Sequence, residues 1–398
     1  MLINKRADVQ FQLNASLYYS MSKTSVHSAS VVPLHDRSGP LTMGLLWVTM
    51  VTAFPTMLVG FEWYKAGLTF NQVLQCTILS CFILLLYGVP ATQLGAQTGL
   101  GYATLSKSLF GRWGSWIVTI NLLWMFTLFY GLMPVFLADS LNGLYHINFP
   151  LPWLAVGLAI IMSVNNFFGF KGIANFARYF AAPLLIVWVA YSFFKAVNNC
   201  PPSAFTEAPH VPFSSALTLV STYVIGYAVW GNEKDYWRFG VPKPLYSLVP
   251  LAAALFIGQI MFPLTGWMVA RITGITEFSA ATAFMTNYSF GGIAWIAALI
   301  LGASYFATND SNLFASVQAC EGIKDLPHKV WFLIMTATGA ITAFLLSISG
   351  AAKSLESIAS LKLHYYANAY SHTDMLEKVL AKRFDQASSR PPVVSVNE

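Results

Sequence analysis

Apolar runs of about twenty residues recur along the chain, separated by short charged or Gly/Pro-rich breaks. Read between those breaks, the pattern predicts nine segments at about 41–61, 70–90, 114–138, 150–170, 179–197, 215–231, 247–270, 292–318 and 330–350. Each approaches the length needed to cross a hydrocarbon layer of about 30 Å. A bilayer offers the backbone no hydrogen-bond partner, so runs of this kind must be helices. The connections are short, which predicts one compact all-α bundle. This divides the chain into an N-terminal segment over 1–40, a transmembrane domain over 41–361 and a polar tail over 362–398, with an amphipathic stretch near Met375 to Phe384.

Composition narrows the class. Hydrophobic residues make up 56% of the chain and charged residues only 10%, against about a quarter charged in soluble domains. A water-facing globular surface is therefore excluded. The net charge of +6 does not point to nucleic acid, because the basic residues are spread among the loops. With the N-terminus in the cytoplasm, thirteen of the 22 Lys and Arg residues fall on the inner side, three (Lys65, Lys195 and Arg271) on the outer side, and six follow the ninth segment. The positive-inside rule thus predicts a cytoplasmic N-terminus and a plasma-membrane or bacterial inner-membrane location. The first forty residues hold no cleavable signal pattern, and Met21 and Met43 are alternative starts. Cys76, Cys81, Cys200 and Cys320 follow no metal or disulfide spacing.

Breaks and buried polar groups supply the candidate chemistry. The first segment contains Phe54-Pro55 and Gly60, and the sixth contains Gly226 and Gly231. Proline removes a backbone donor and glycine tolerates unwound backbone, so both segments read as interrupted helices, or as helices whose glycines serve packing. They are five segments apart, which suits paired broken helices around a binding site at mid-membrane. Asp310 is the acid set well inside an apolar run. It serves as a coupling group facing a cavity or as a helix-end cap. Asp139 reads as an interfacial cap. No histidine falls inside the nine segments, which argues against a histidine relay. In Val224 to Gly240, Tyr227, Trp230 and Asn232 could stack on and hydrogen-bond a planar ring, while Asp235 and Arg238 share a helical face. Trp237 is expected in the interfacial aromatic belt, and Trp230 either there or at the site. Phe126, Phe129 and Tyr130 form one stripe, a core or a site wall. Phosphate-loop, HExxH and GxSxG signatures are absent, so an ATP-driven pump is excluded and an enzyme, which the chain is not expected to be, has no candidate constellation.

Three segments taken together, Gln93 to Trp116, Asp235 to Gly240 and Ala307 to Ser316, resemble the nucleobase:cation symporter-1 family and its cytosine permease branch. The resemblance runs from about Gly39 to about Leu361. It implies a LeuT-like fold of two inverted five-helix repeats, alternating access, and import of a nucleobase or related planar heterocycle coupled to Na+ or H+. It places the solute between the broken first and sixth helices, the third and the eighth. The implied substrate set is Phe54, Phe126, Phe129, Tyr227, Trp230 and Asn232. The implied coupling set is Ser304, Thr308, Asn309 and Asp310, with Na+ at Phe54, Ser304 and Thr308. Apart from that ion no cofactor is expected, and the partners are a nucleobase-like solute and the lipid bilayer. The chain departs from the family in three places. Ser304, Ala307 and Thr308 stand where cytosine permeases carry Asn and Thr-Thr, and Phe126 stands at a third-helix glutamine. The tenth helix begins as SLESIASL and then gives way to the charged tail. A shortened, non-transporting or sensor-like protein on the same scaffold is the rival reading, ahead of a channel.

Overall fold

The computed structural model describes residues 31–350, except 148, 229–230, 276–283, 286–287, 290, 292 and 325. The N-terminal thirty residues and the polar tail therefore lie outside the described residues.

Each of the nine expected segments contains helix. The first is split into α1 (Pro40–Val51) and α2 (Phe54–Lys65), bent by 50°. Next come α3 (Phe70–Thr98), α4 (Tyr102–Tyr145) and α5 (Leu151–Ile161). A 3-10 turn, Val164–Phe168, leads to α6 (Gly169–Phe176), which passes through a π-turn at Ala177–Ala181 into α7 (Ala182–Asn199). The sixth segment is α8 (Phe213–Ala228) and, after a break, α9 (Glu233–Trp237). The seventh is α10 (Pro244–Leu255), a π-turn at Phe256–Met261, and α11 (Phe262–Thr273). It is followed by α12 (Ala294–Ile323) and α13 (His328–Ser349). Among the described residues, by length and apolarity alone, five continuous stretches could cross a membrane, or six if the bent α1–α2 pair counts as one span. The α12 helix is not among them, because Thr308 to Asn312 make its middle polar.

Two boundaries differ from expectation. The fourth helix stops at Ile161 instead of running to 170, since Asn165 and Asn166 leave the helix to meet α12. The third begins at Tyr102, and Gly111, at φ 70°, kinks it before the long apolar stretch.

Large apolar side chains such as Phe82, Ile117, Trp153, Val187 and Leu333 face outward, each more than half exposed. A chain that turns its Phe and Ile outward and buries its Asn and Asp is built for lipid. All four cysteines are free and buried. One end of the bundle carries Lys171, Arg178, Arg238, Lys243, Lys324 and Lys329, and is called here the basic end. There the segment before α1 is pinned beneath α3. Val32 N–H donates to the Gly99 carbonyl at 3.1 Å, and the Arg37 guanidinium donates to the carbonyls of Val32 and Ala96. Ser38 then pairs with Gly240 as an isolated bridge.

Candidate functional site

The break in the first span follows from one residue. In a continuous helix the Val51 carbonyl would accept from the amide of residue 55, but Pro55 has no N–H. The chain unwinds at Thr52 and Ala53, and the carbonyls around the break lose their helical partners. Those of Thr49, Val51 and Thr52 are met by side chains from other helices. Gln259, in the π-turn of the seventh span, donates through Nε2 to the Val51 carbonyl at 3.1 Å. Ser304 Oγ donates to the Thr52 carbonyl at 3.1 Å and accepts from Phe54 N–H at 3.2 Å. Thr308 Oγ1, one turn further along α12, lies 3.2 Å from the Thr49 carbonyl. Thus the Ser304 and Thr308 hydroxyls and the carbonyls of Thr49 and Thr52 form one oxygen-lined cluster. Hard oxygens of this sort suit a small cation, although Ala307, buried between the two hydroxyls in sequence, adds none.

The Phe54 side chain adds an aromatic wall. Its ring stacks on Trp188 of α7, with centroids 5.9 Å apart and planes 11° apart, and lies 6.4 Å from Tyr305. Neither Trp188 nor Tyr305 stood out in the sequence, where single aromatics in apolar runs read as packing.

The second break lies just before Asn232, where Gly231 takes φ +79°. Asn232 is buried, and its carbonyl accepts from Asp235 N–H at 2.9 Å to start α9. The Tyr236 hydroxyl donates to the Ser311 carbonyl at 2.6 Å, tying α9 to α12. Tyr227 and Trp230 lie outside the residues whose side chains are described. Gly60, expected to contribute to the first break, sits inside α2. A Cβ there would meet the Pro263 carbonyl at 2.0 Å, so it is a packing glycine against α11.

Asp310 is fully buried in the body of α12, not at its end, so it is no helix cap. Its Oδ2 accepts from Asn165 at 2.7 Å and its Oδ1 from Asn166 at 3.1 Å. Asn309 turns its Nδ2 to the Met162 sulfur at 3.4 Å, toward the fourth span. Its Oδ1 and both amide atoms of the buried Asn312 have no hydrogen-bond partner among the described residues. Buried amides in that condition cost about 1–3 kcal/mol each unless water or a ligand meets them.

The Phe126–Phe129–Tyr130 stripe is buried throughout. Tyr130 donates to the Ala159 carbonyl at 2.7 Å and packs with Leu313, Val317, Phe332 and Met335, which makes it core. Trp237, expected in the interfacial belt, is fully buried instead and lies 6.2 Å from Trp47. Trp47, Tyr236 and Phe314 continue the aromatic packing toward the basic end. Asp235 and Arg238 both crowd Gly101 at the α3–α4 turn, where Asp235 Oδ1 accepts from Tyr102 N–H at 2.7 Å. Asp139 is exposed. A cavity of about 520 Å3 opens below this packing, lined by Arg178, Arg238, Phe239, Gln318, Glu321 and His328 among others.

No family model matches the chain. Its sequence is 24% identical over 327 residues to the cytosine permease of Escherichia coli (strain K12), covering 81% of this chain and 75% of the permease. The fold is similar to that of Mhp1, a nucleobase-cation-symport-1 family transporter, in a closed conformation with bromovinylhydantoin bound. There the TM-score is 0.66 at 16% identity, over 81% of this chain and 75% of the other. A Na+-coupled sialic acid symporter in a substrate-bound outward-open state matches with TM-score 0.58 at 14% identity, over 90% and 83% of the two chains.

Proposed function

We infer that this chain is a member of the nucleobase-cation-symport-1 family and a secondary transporter that imports a nucleobase or related planar heterocycle with a cation. The observation that carries the reading is the first break. Its orphaned carbonyls are held by hydroxyls of α12 beside the Phe54 ring, so cation and solute would share one element. A cation drawing the Ser304 and Thr308 hydroxyls off those carbonyls would reset the break and, with it, the Phe54 wall. Asn309 and Asn312 offer the amide donors and acceptors that a heterocycle edge requires. The similarity to cytosine permease supports a pyrimidine-like ring, while Phe126 on the third span favours stacking over an edge hydrogen bond. Phe129, Tyr227, Trp230 and Asn232 complete the proposed solute contacts, and Asp310 the proposed coupling group. The N-terminus and the basic end would face the cytoplasm, as the loop charges require.

The test is uptake of labelled cytosine, uracil, adenine and hypoxanthine into cells expressing the full chain, with and without Na+ and across external pH. One ring class should enter saturably, and Phe54→Ala should cut its uptake about tenfold, the loss of an aromatic contact and its burial. Absence of saturable uptake for every ring, with the protein in the membrane, would sink the reading and favour a non-transporting scaffold.

A further inference from the structure

His328 is the first residue of α13 and lines the cavity at the basic end. Both of its ring nitrogens face oxygen acceptors. Nδ1 lies 2.7 Å from Glu321 Oε1, and Nε2 lies 3.5 Å, at the long end of the range, from the Asn166 carbonyl. A neutral imidazole carries one N–H and can serve one acceptor, whereas the imidazolium serves both. The two acceptors lead to separate parts of the site. Asn166 carries the amide that holds Asp310. Glu321 is almost fully buried, and its other oxygen accepts from Gln318 at 3.2 Å. Gln318 Oε1 in turn accepts from Arg238, just beyond α9, at 2.7 Å.

We propose that the His328–Glu321 pair is a pH-responsive latch on the transport site. Protonated His328 holds Glu321 and at the same time draws the Val164–Phe168 turn onto α12; loss of the proton leaves one N–H, which stays on the nearer Glu321 and lets the turn go. The proposal rests on the transporter reading with the basic end toward the cytoplasm. His328 is then a positioning residue, acting on Asp310 through Asn166. The charged groups around it are Glu321 from α12, Arg238 from beyond α9, Lys171 and Arg178 from the α6–α7 helix, and Asp36 from the N-terminal segment, all lining the same cavity. On its own helix, Lys329 lies over the Phe167 ring, 5.0 Å from its centroid. The His328 side chain is 29% exposed, so protons of the cavity water reach it. Imidazole exchanges its proton between about pH 5 and 8, the range over which the latch should work.

The experiment places a reporter in the cavity wall. Ala174, nearly buried and lining the cavity, is changed to Cys in the full chain, with His328 or with His328→Gln. A membrane-impermeant maleimide is then applied to inside-out vesicles at several pH values. The ratio of labelling rates in the two backgrounds cancels the thiol's own titration. That ratio should rise about threefold or more from pH 6 to 8 as His328 loses its proton, and His328→Lys should stay at the acid value throughout. A ratio that does not change with pH overturns the latch. If His328→Gln fails to assemble, His328→Asn supplies the same comparison. Uptake of labelled cytosine, uracil, adenine and hypoxanthine in matching right-side-out vesicles separates the two readings. A rising ratio without uptake of any base keeps the latch and sinks transport, while uptake with a flat ratio does the reverse.

Discussion

Replacing Asp310 by Asn changes one atom type and little volume, yet it should cost more than most surface mutations. The two carboxylate oxygens accept from Asn165 at 2.7 Å and from Asn166 at 3.1 Å, so the site presents donors on both sides. Asparagine brings a single acceptor, and its NH2 must face one of the two amide donors. Asn166 keeps a second bond, to the Asp310 backbone carbonyl at 3.0 Å, so the loss falls mainly on Asn165. A half-buried donor left without an acceptor costs about 1–3 kcal/mol. For a chain longer than 250 residues each kcal/mol moves the melting midpoint by about 2 °C or less, so the expected fall is about 2–6 °C. The assay is thermal unfolding of the purified protein in detergent. It should include the double variant Asp310→Asn with Asn165→Asp, which exchanges donor and acceptor and should recover at least half of the loss. A single variant within 1 °C of the parent, or a double variant no better than the single, would refute this account of Asp310.

Three further outcomes follow from the same packing. Gly60→Ala places a methyl within 2.4 Å of both the Pro263 carbonyl and the Trp267 amide nitrogen, so it should destabilise by about 1–3 kcal/mol, read as a lower melting midpoint. Gln259→Leu leaves the Val51 carbonyl without its donor and should cost about 1–3 kcal/mol, with reduced uptake if the first break then closes differently. Ser304→Ala with Thr308→Ala removes both hydroxyls from the break. The pair should abolish any stimulation of uptake by Na+ and leave the protein folded, which uptake against cation concentration would check.

The sequence announced its helices through apolar runs, because lipid tolerates little else. Pro55 was legible as a break, since a missing N–H acts on its own helix whatever surrounds it. Asp310 was legible because a carboxylate among apolar residues is costly. Its partners were not, for Asn165 and Asn166 lie about 145 residues away and fall inside the fourth expected segment, where nothing marked them. Gly60 could be read either way for a related reason. A glycine that permits unwinding and one that admits a neighbouring backbone look alike until Pro263 and Trp267 are placed beside it. Trp237 carried the signal of an interfacial residue, and only the meeting of α1 with α9 buries it against Trp47. His328 stood just outside an apolar run, and nothing local marked it as the partner of Glu321.

The π-turn of the seventh span lies directly against the break of the first. A Cβ on Gly258 would be 2.6 Å from the Val51 carbonyl, and Gln259 holds that carbonyl. Below this level Gly44 fits against Pro250, and above it Gly60 and Gly266 bring α2 and α11 into backbone contact. The two spans are thus clasped on either side of a shared soft joint. A bend at either joint would have to carry the other with it, so in any movement the first and seventh spans would swing as a pair, like the two blades of a hinge turning on one pin.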